Sequence, residues 1–394
     1  MPVRFSERTG WDTGESRLTA AIRSARSSGR PLLDLTVSNP TLCGFHYDKA
    51  EILAPLSSPS ALVYDPDPKG VLSARQAVCN YYADHRASIQ PRQLMLTTST
   101  SEAYSYLFRL LCDAGDEVLV AQPSYPLFDF LADLENVRLR PYRLFYDYGW
   151  WIDFAALEQS IGPRTRAILV VHPNNPTGHA TRRAERQRLE QLCVQHSLAL
   201  IVDEVFLDYP IGEVEALESF AVGPHPALTF CLSGISKIAG LPQMKVGWIV
   251  CAGPEALQQA ALARLEVIAD TFLSMNAPAQ AALPAWLARR HGIQRQIRER
   301  VEANLAVLRS AGLEVMHLEA GWCGVLRVPR DRWAEGGSED LALQLLLDSD
   351  VVVHPGSFYG MAEPGRLVVS LLVEPHILEQ AARRIRYSGR NHGS

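Results

Sequence analysis

The chain has 394 residues, a length that exceeds one ordinary hydrophobic core and therefore predicts two domains. Its composition, 47% hydrophobic and 21% charged residues, is that of a globular protein and argues against intrinsic disorder. The net charge is −5, and no cluster of Lys and Arg alternates with aromatic residues, so binding to nucleic acid is disfavoured.

The seven cysteines are scattered along the chain and form no CxxC pair. Several of them lie inside apolar runs, which predicts reduced core thiols rather than disulfides or zinc ligands. The first residues contain no apolar leader, and no stretch is long enough to span a bilayer. We therefore expect no metal site, no membrane association and a cytoplasmic location.

Short β-branched runs alternate with helical patterns from about Gln93 onward. In chain order the predicted strands are LMLTT, EVLVA, AILVV, ALIVD, LTFCLS and VGWIVC. This alternation is typical of a mostly parallel sheet covered by helices on both faces. Functional sites in such sheets lie beyond the carboxyl ends of the strands.

The pattern changes after about Pro284. A long basic helix is predicted over residues 289–311, followed by short strands in EVMHLEAGWCGVLRVP and a helix near residues 341–347. Short strands flanked by helices indicate a second, smaller α+β domain. The arginines of the long helix are interpreted as a solvated face.

Three apolar strands run directly into polar patches. AILVV precedes HPNNPTG at 172–178, LALIV precedes DEVFLDY at 203–209, and LTFCL precedes SGISKIAG at 233–240. Asn175, Asp203 and Lys237 are the reactive members of these patches. An amine that forms a Schiff base, a carboxylate that keeps a ring nitrogen protonated and an amide for a phenolic oxygen are what pyridoxal 5'-phosphate requires. Read alone, Lys237 is a solvated charge and Asp203 a helix N-cap.

This arrangement resembles the fold-type I pyridoxal-phosphate enzymes, and within them the class I/II aminotransferases, over nearly the whole chain. The resemblance implies an α/β fold with a large cofactor-binding domain at 46–285 on a mostly parallel seven-stranded sheet. A smaller α+β domain would occupy 286–394, and residues 1–45 would pack on it. In that family the corresponding residues bind the cofactor's O3′, pair with the pyridinium nitrogen and carry the aldimine; here they are Asn175, Asp203 and Lys237.

The cofactor phosphate is predicted to lie where the LTTST strand meets a helix. The N–H groups and dipole of a helix N-terminus favour a dianion, and three hydroxyls add donors. These are the hydroxyls of Ser99, Thr100 and Ser101. Read alone, Ser99 or Ser101 is simply an N-cap. The resemblance adds three more candidates around the lysine segment: Ser233, Ser236 and Lys245. Lys245 stands where the family has an Arg, and it is also the competing candidate for the nucleophile.

Two aromatic residues are predicted beside the cofactor ring. Tyr125, in AQPSYPLFDF, resembles the residue that stacks on the pyridine, although a Tyr between Ser and Pro is also a common turn residue. Phe206 stands where relatives have a Tyr, so one donor to the cofactor's O3′ is missing. This departure predicts that the cofactor–lysine linkage keeps its proton to higher pH than in Tyr-bearing relatives.

Further residues are predicted to contact the substrate or a partner subunit. Arg366, in GRLVVSL, matches the family's clamp for the substrate α-carboxylate, although an Arg that starts an apolar strand is ordinarily an edge charge. Ser38, followed by Asn39, replaces a Gly-containing turn that borders the substrate, and Asn175 is expected to contact the substrate as well as the cofactor. Tyr64 resembles the Tyr that crosses to the partner's cofactor phosphate, which implies a homodimer with shared active sites.

The sequence thus predicts an aminotransferase that moves an amino group from an L-amino acid to a 2-oxo acid by a ping-pong mechanism through a Lys237 aldimine. The same residues support β-elimination, cyclisation or decarboxylation, so a lyase, a cyclase or a decarboxylase is the alternative enzyme. A non-catalytic binding protein that kept the fold is the alternative from another class. A nicotinamide-dependent oxidoreductase is disfavoured because no GxGxxG follows an early strand.

Overall fold

The computed structural model describes residues 3–212, 217–273, 275–330 and 336–387. The helices are α1 (Arg17–Ser27), α2 (Lys49–Leu53), α3 (Leu72–Asp84), α4 (Thr100–Leu111), α5 (Leu127–Leu134), α6 (Phe154–Ser160), α7 (Arg183–His196), α8 (Ile235–Ile238), α9 (Glu255–Thr271), α10 (Ala277–Ser310), α11 (Ser338–Ser349) and α12 (Pro375–Tyr387). The strands are β1 (Leu33–Asp34), β2 (Leu94–Thr97), β3 (Glu117–Gln122), β4 (Arg138–Tyr146), β5 (Trp150–Ile152), β6 (Thr165–Val171), β7 (Ala199–Asp203), β8 (Thr229–Gly234), β9 (Gly247–Ala252), β10 (Glu314–Val315), β11 (Cys323–Arg327), β12 (Val351–Val352), β13 (His354–Pro355) and β14 (Arg366–Ser370). In this described part of the chain, no helix combines the length and the apolar character needed to cross a bilayer.

The central sheet has the strand order β2-β9-β8-β7-β6-β3-β4-β5. The neighbours from β8 to β4 pair in parallel, whereas β9 is antiparallel to both β2 and β8, and β5 is antiparallel to β4. The predicted mostly parallel sheet is confirmed. It has eight strands rather than seven, because the short β5 extends the edge beyond β4.

The inner strands are apolar on both sides because helices cover both faces of the sheet. Side chains of β7 alternate between two hydrophobic clusters: Leu200 and Val202 belong to one, and Ala199 and Ile201 to the other. The patterns that predicted these strands are therefore continuous apolar runs. Strand β4, RLRPYRLFY, lies next to the edge strand β5, is largely exposed and carries three arginines, so it lacks that pattern.

A second core lies around a four-stranded sheet of order β10-β11-β14-β13 and a two-stranded pair of β1 with β12. Leu18 of α1 and Leu35 after β1 belong to this cluster, together with residues of α11 and α12. Residues of the N-terminal segment therefore contribute to this second core. The division of the chain into domains at residues 45 and 285 stays a prediction.

Helix α10 is 34 residues long and contributes to both cores. Its first half supplies Leu283 and Trp286 to the cluster of the central sheet, and its second half supplies Ile297 and Leu305 to the second core. The predicted helix at 289–311 is the second half of α10, and the predicted boundary at 285 falls inside this helix. Between the halves, the buried Gln294 donates from Nε2 to the carbonyl oxygen of Ile238, in α8, at 2.9 Å.

Candidate active site

The carboxyl ends of β6, β7 and β8 lie side by side because these strands are parallel neighbours. A cavity of about 330 Å³ lies at this edge of the sheet. The predicted residues that line it are Ser38, Ser99, Thr100, Ser101, Tyr125, Asn175, Asp203, Phe206, Ser236, Lys237 and Lys245. The three strand-end residues that carried the sequence hypothesis therefore share one cavity.

Lys237 lies in the short helix α8, which begins directly after β8. Its Nζ lies 4.9 Å from the ring centre of Trp322 and 5.7 Å from that of Phe206. Burial lowers the pKa of Lys237, while the ionisable Cys323 and Asp203 nearby oppose this shift. A lysine that loses its proton more readily is a better nucleophile and base at neutral pH.

Asp203 is the last residue of β7 and is 6% exposed. Its Oδ2 accepts a hydrogen bond of 2.7 Å from the hydroxyl of Tyr104, and its Oδ1 accepts one of 3.0 Å from the backbone N–H of Val205. Burial raises the pKa of Asp203, and both hydrogen bonds and the charge of Lys237 act against that shift. The carboxylate is therefore held in place by one donor on each oxygen.

Asn175 follows β6 in the loop at 172–178. Its side-chain oxygen is buried and has no hydrogen-bond partner in the described part of the chain. A buried polar atom without a partner is costly unless a ligand or water satisfies it, and an amide can turn to offer its NH₂ group instead. Asn175 is thus poised for a polar atom of a bound ligand.

The loop that carries Asn175 packs tightly against the second core. Gly178 has a φ of +70°, and a Cβ at this position would lie 2.6 Å from the carbonyl oxygen of Ala320. The carbonyl oxygen of Gly178 accepts hydrogen bonds of 3.1 Å from the N–H groups of Glu319 and Ala320. This contact brings the following residue pair, Trp322 and Cys323, to the wall of the cavity.

The turn before α4 forms another wall. Ser99 is the N-cap of α4, and its side chain accepts a hydrogen bond of 3.2 Å from the N–H of Glu102. The N-cap expected from the sequence is therefore present. Ser99 also lines the cavity, as do Thr100 and Ser101 in the first turn. The N-terminus of a 12-residue helix, three hydroxyls and the ammonium group of Lys245 favour an anion here.

Three predicted residues do not line this cavity. Ser233 lies within β8, where it is fully buried on the same face as Cys231, so strand alternation directs it into the core. Tyr64 is 67% exposed. Arg366, on β14, lines a separate cavity of about 650 Å³ together with Arg143 and Arg327.

Arg366 pairs in register with Arg327 across β14 and β11. Partial burial lowers the pKa of Arg366, and the charge of Arg327 acts in the same direction. No carboxylate of the described residues lies within ion-pair distance of Arg366. Its guanidinium is therefore open to an external anion, but it is not part of the lining of the cavity that contains Lys237.

Sequence reasoning missed several residues of the cavity, including Tyr104, Trp322, Cys323 and Tyr359. Helical periodicity indicates that Tyr104 is on the buried side of α4, but no local pattern reveals its partner, which is 99 residues away. The other three lie far along the chain: Trp322 belongs to the second core, Tyr359 belongs to the cluster of the central sheet, and Cys323 packs against both. Burial raises the pKa of the Cys323 thiol to about 12, so this thiol is not a nucleophile at neutral pH.

Introducing a hydroxyl at Phe206 tests the effect of the missing Tyr. The Phe206 ring packs edge-on against Trp322, with ring centres 5.1 Å apart, and lines the cavity. We expect Phe206→Tyr to lower the pH at which the absorbance of the bound cofactor changes, because the new hydroxyl stabilises the deprotonated form. Spectral titration measures this pH. The exposed Phe130→Tyr is the control, and an unchanged or raised value for Phe206→Tyr contradicts the expectation.

Glu204, beside Asp203, lies on the opposite side and is fully buried. Its carboxylate accepts a hydrogen bond of 2.8 Å from Ser219, yet burial raises its pKa to about 7 from the usual 4.5. A raised carboxyl pKa gives stability that is complete below pH 4.5 and is lost as the pH rises through 7. The loss amounts to roughly 3 kcal/mol.

We therefore expect Glu204→Gln to remove most of this loss, because Gln keeps partners for Ser219 and carries no charge. Thermal unfolding of both proteins at pH 5 and pH 8 measures the effect, and the variant should gain on wild type only at the higher pH. Glu299→Gln, an exposed change on α10, serves as the control. An equal gain at both pH values would show that the charge of Glu204 is not the cause.

The family model for aminotransferase class I and II matches residues 49–385. The chain belongs to this family. Members of the class I and II aminotransferases depend on pyridoxal phosphate. The family and fold class expected from the sequence are confirmed.

Among curated proteins, the chain is 30% identical over 258 residues to the glutamate-pyruvate aminotransferase AlaA of Escherichia coli K12. This match covers 65% of the chain and 63% of that relative. It is 26% identical over 371 residues to the alanine aminotransferase of Mycobacterium tuberculosis H37Rv, which covers 91% of the chain and 86% of the relative.

The fold is also found in solved structures, including two aminotransferases. An aminotransferase from Escherichia coli matches with a TM-score of 0.87 and 22% identity over 100% of both chains. An alanine aminotransferase from Pyrococcus furiosus matches with a TM-score of 0.87 and 21% identity over 99% of this chain and 100% of that one.

The residues around the cavity fit the cofactor of the family. The unpartnered oxygen of Asn175, the buried carboxylate of Asp203 and the enclosed amine of Lys237 are groups that a phosphorylated pyridine aldehyde would satisfy. The N-terminus of α4 lies at the same cavity and is suited to bind the phosphate of the cofactor.

Proposed function

We propose that the protein is a pyridoxal-phosphate-dependent aminotransferase that moves the α-amino group of an L-amino acid to a 2-oxo acid by a ping-pong mechanism. The observation that carries the proposal is the meeting of Lys237, Asp203 and Asn175 in one cavity. The family model and the curated relatives support the same reaction. When bound, pyridoxal phosphate supplies an electron sink for the negative charge that develops on the substrate's Cα.

Lys237 has two proposed tasks. Its amine would hold the cofactor covalently and, once a substrate amine had displaced it, would be the base that moves the proton from the substrate's Cα. Burial lowers the pKa of Lys237, which favours the neutral amine that both tasks require. The aromatic rings of Trp322 and Phe206 keep water from the amine and stabilise it when it is protonated.

Asp203 and Asn175 orient the ring. The carboxylate of Asp203 is proposed to pair with the ring nitrogen, and the amide of Asn175 to contact the phenolic oxygen. Tyr125, at the cavity wall, stacks on the ring in this proposal. The phosphate is proposed to bind Ser99, Thr100, Ser101, Ser236 and Lys245. Ser233 is left out because its side chain lies in the core.

The substrates are proposed to be a small aliphatic pair, alanine with pyruvate, together with glutamate as the second amino acid. Relatives at 30% and 26% identity are named glutamate-pyruvate and alanine aminotransferases, which supports this choice. Ser38 lines the cavity and is proposed to contact the substrate. Arg366 is proposed to hold the α-carboxylate, because its guanidinium has no carboxylate partner among the described residues.

A homodimer is proposed as the working form. Leu62, Val63 and Tyr64 are consecutive and 91%, 65% and 67% exposed, which supports burial of this segment against a second copy. In that dimer Tyr64 would reach the partner's phosphate site. All seven cysteines are free, which supports the proposed cytoplasmic location.

A half-reaction tests the function. The purified protein, saturated with pyridoxal phosphate, is mixed with L-alanine or L-glutamate, and the cofactor spectrum is followed. An aminotransferase converts its cofactor once and stops until pyruvate or 2-oxoglutarate is added. A lyase, cyclase or decarboxylase turns over without an oxo acid, and a non-catalytic protein shows no conversion.

A further inference from the structure

The hydroxyl of Tyr104 is the only side-chain donor to Asp203 in the described part of the chain. The two side chains lie 2.7 Å apart between Oη and Oδ2. Tyr104 is 2% exposed and Asp203 6%, so bulk water does not replace this contact. The second donor, the N–H of Val205, reaches the other carboxylate oxygen at 3.0 Å.

The hydrogen bond has a fixed direction. Burial, with the nearby charge of Asp203 as the next cause, raises the pKa of Tyr104 well above its usual value. Tyr104 therefore remains protonated and can only donate to the carboxylate. A donor to the charged form of an acid favours that form. The ionisable groups that face Asp203 are Tyr104, Tyr125 and Lys237.

The ring of Tyr104 is also held in place. It packs edge-on against Phe128, with ring centres 5.0 Å apart, and lies 6.2 Å from the ring of Phe108 one turn along α4. The same helix begins at Ser99 and Thr100, which line the cavity at its phosphate end. One rigid element thus supports both ends of the site.

We infer that Tyr104 is a positioning residue that holds Asp203 ionised and aimed at the ring nitrogen of the cofactor. The inference rests on the proposed function, because it assigns Tyr104 a role in the chemistry of the bound ring. With Tyr104 present, the proton shared by the ring nitrogen and Asp203 stays on the nitrogen. Without that donor, Asp203 becomes more basic and draws the proton toward itself.

The test is Tyr104→Phe, which keeps the packing ring and removes only the hydroxyl. The holoenzyme is prepared with pyridoxal phosphate labelled with ¹⁵N in the ring, and the ¹⁵N chemical shift reports where the proton lies. We expect the signal of the variant to move toward that of an unprotonated pyridine. The ratio of the two protonation states should change roughly tenfold, as expected for one hydrogen bond to a charged group.

Two comparisons separate positioning from a structural role. Tyr142→Phe removes a buried hydroxyl that donates to the carbonyl oxygen of Leu169 at 3.1 Å, outside the cavity, and should leave the ¹⁵N shift unchanged. In an Asp203→Asn background, Tyr104→Phe should change the shift no further, since the two residues act through one contact. An unchanged ¹⁵N shift in the Tyr104→Phe protein overturns the inference, even if its activity or stability falls.

A second measurement keeps the inference separate from the proposed function. The ¹³C carboxyl signal of Asp203, assigned by its loss in Asp203→Asn, is titrated in protein freed of cofactor. Tyr104→Phe should raise the titration midpoint by about one pH unit. If wild type fails to bind pyridoxal phosphate, the proposed function falls and the inferred role at the ring nitrogen falls with it. If wild type binds pyridoxal phosphate but the midpoint does not rise in Tyr104→Phe, only the role inferred for Tyr104 is wrong.

Discussion

Replacing Lys237 by alanine is expected to abolish the half-reaction, with kcat lowered by at least about 10³-fold. The change removes the covalent attachment and the base in one step, and Lys245 is the only other lysine in the cavity lining. Stopped-flow absorbance of the cofactor with L-alanine and with L-glutamate measures the loss. Free cofactor should still bind through its phosphate and ring contacts, so binding and chemistry separate in this variant.

The covalent site is checked directly in wild type by borohydride reduction and peptide mass mapping. The cofactor mass should be found on the peptide that contains Lys237. Lys69→Gln removes a lysine that is ion-paired to Glu266 and lies outside the cavity lining, so it should retain both label and rate. A label on another lysine, or an active Lys237→Ala protein, contradicts the proposed function.

Asp203→Asn is expected to lower the half-reaction rate by roughly 10²- to 10³-fold, the range for loss of one preorganised electrostatic group. An amide cannot balance a positive ring nitrogen, so the ring becomes a weaker electron sink. Asn still accepts hydrogen bonds from Tyr104 or Val205 and has nearly the same volume. The rate at saturating cofactor and amino acid is the measurement.

A loss of folding would not explain a lower rate of the Asp203→Asn protein. Burial raises the pKa of Asp203, so in cofactor-free protein its charge opposes folding once the pH rises through that pKa. Asp203→Asn should therefore be at least as stable as wild type at neutral pH. Glu204→Gln, which alters the adjacent buried carboxylate on the other side of the strand, should leave the rate unchanged. An Asp203→Asn protein with the wild-type rate would exclude the proposed pairing.

The sequence predicted the inner strands and their polar ends because burial on both faces leaves a continuous apolar run that stops where the chain reaches the edge of the sheet. Asn175, Asp203 and Lys237 were found for that reason. Strands β4 and β5 were missed, because β4 is largely exposed and carries charged residues and β5 has only three residues. Their existence depends on pairing, which no local pattern records.

The residues that support the site could not be predicted from the sequence. Tyr104 contacts Asp203 through a helix that crosses the sheet, and Trp322 reaches Lys237 from the second core. Each contact joins segments that are distant in sequence, so only the packed fold reveals it. Arg366 shows the reverse case: its motif is local and clear, yet the structure places it in the lining of a separate cavity.

The length of α10 has a mechanical consequence. A helix of 34 residues is about 50 Å long, and its side chains pack in both cores. Gln294 lies between the two parts of α10 that pack in these cores. Its side chain donates a hydrogen bond to the backbone of α8, the short helix that contains Lys237. A rotation of one half of the molecule against the other would therefore twist α10. Through Gln294, such a twist would act on α8, the helix that contains Lys237.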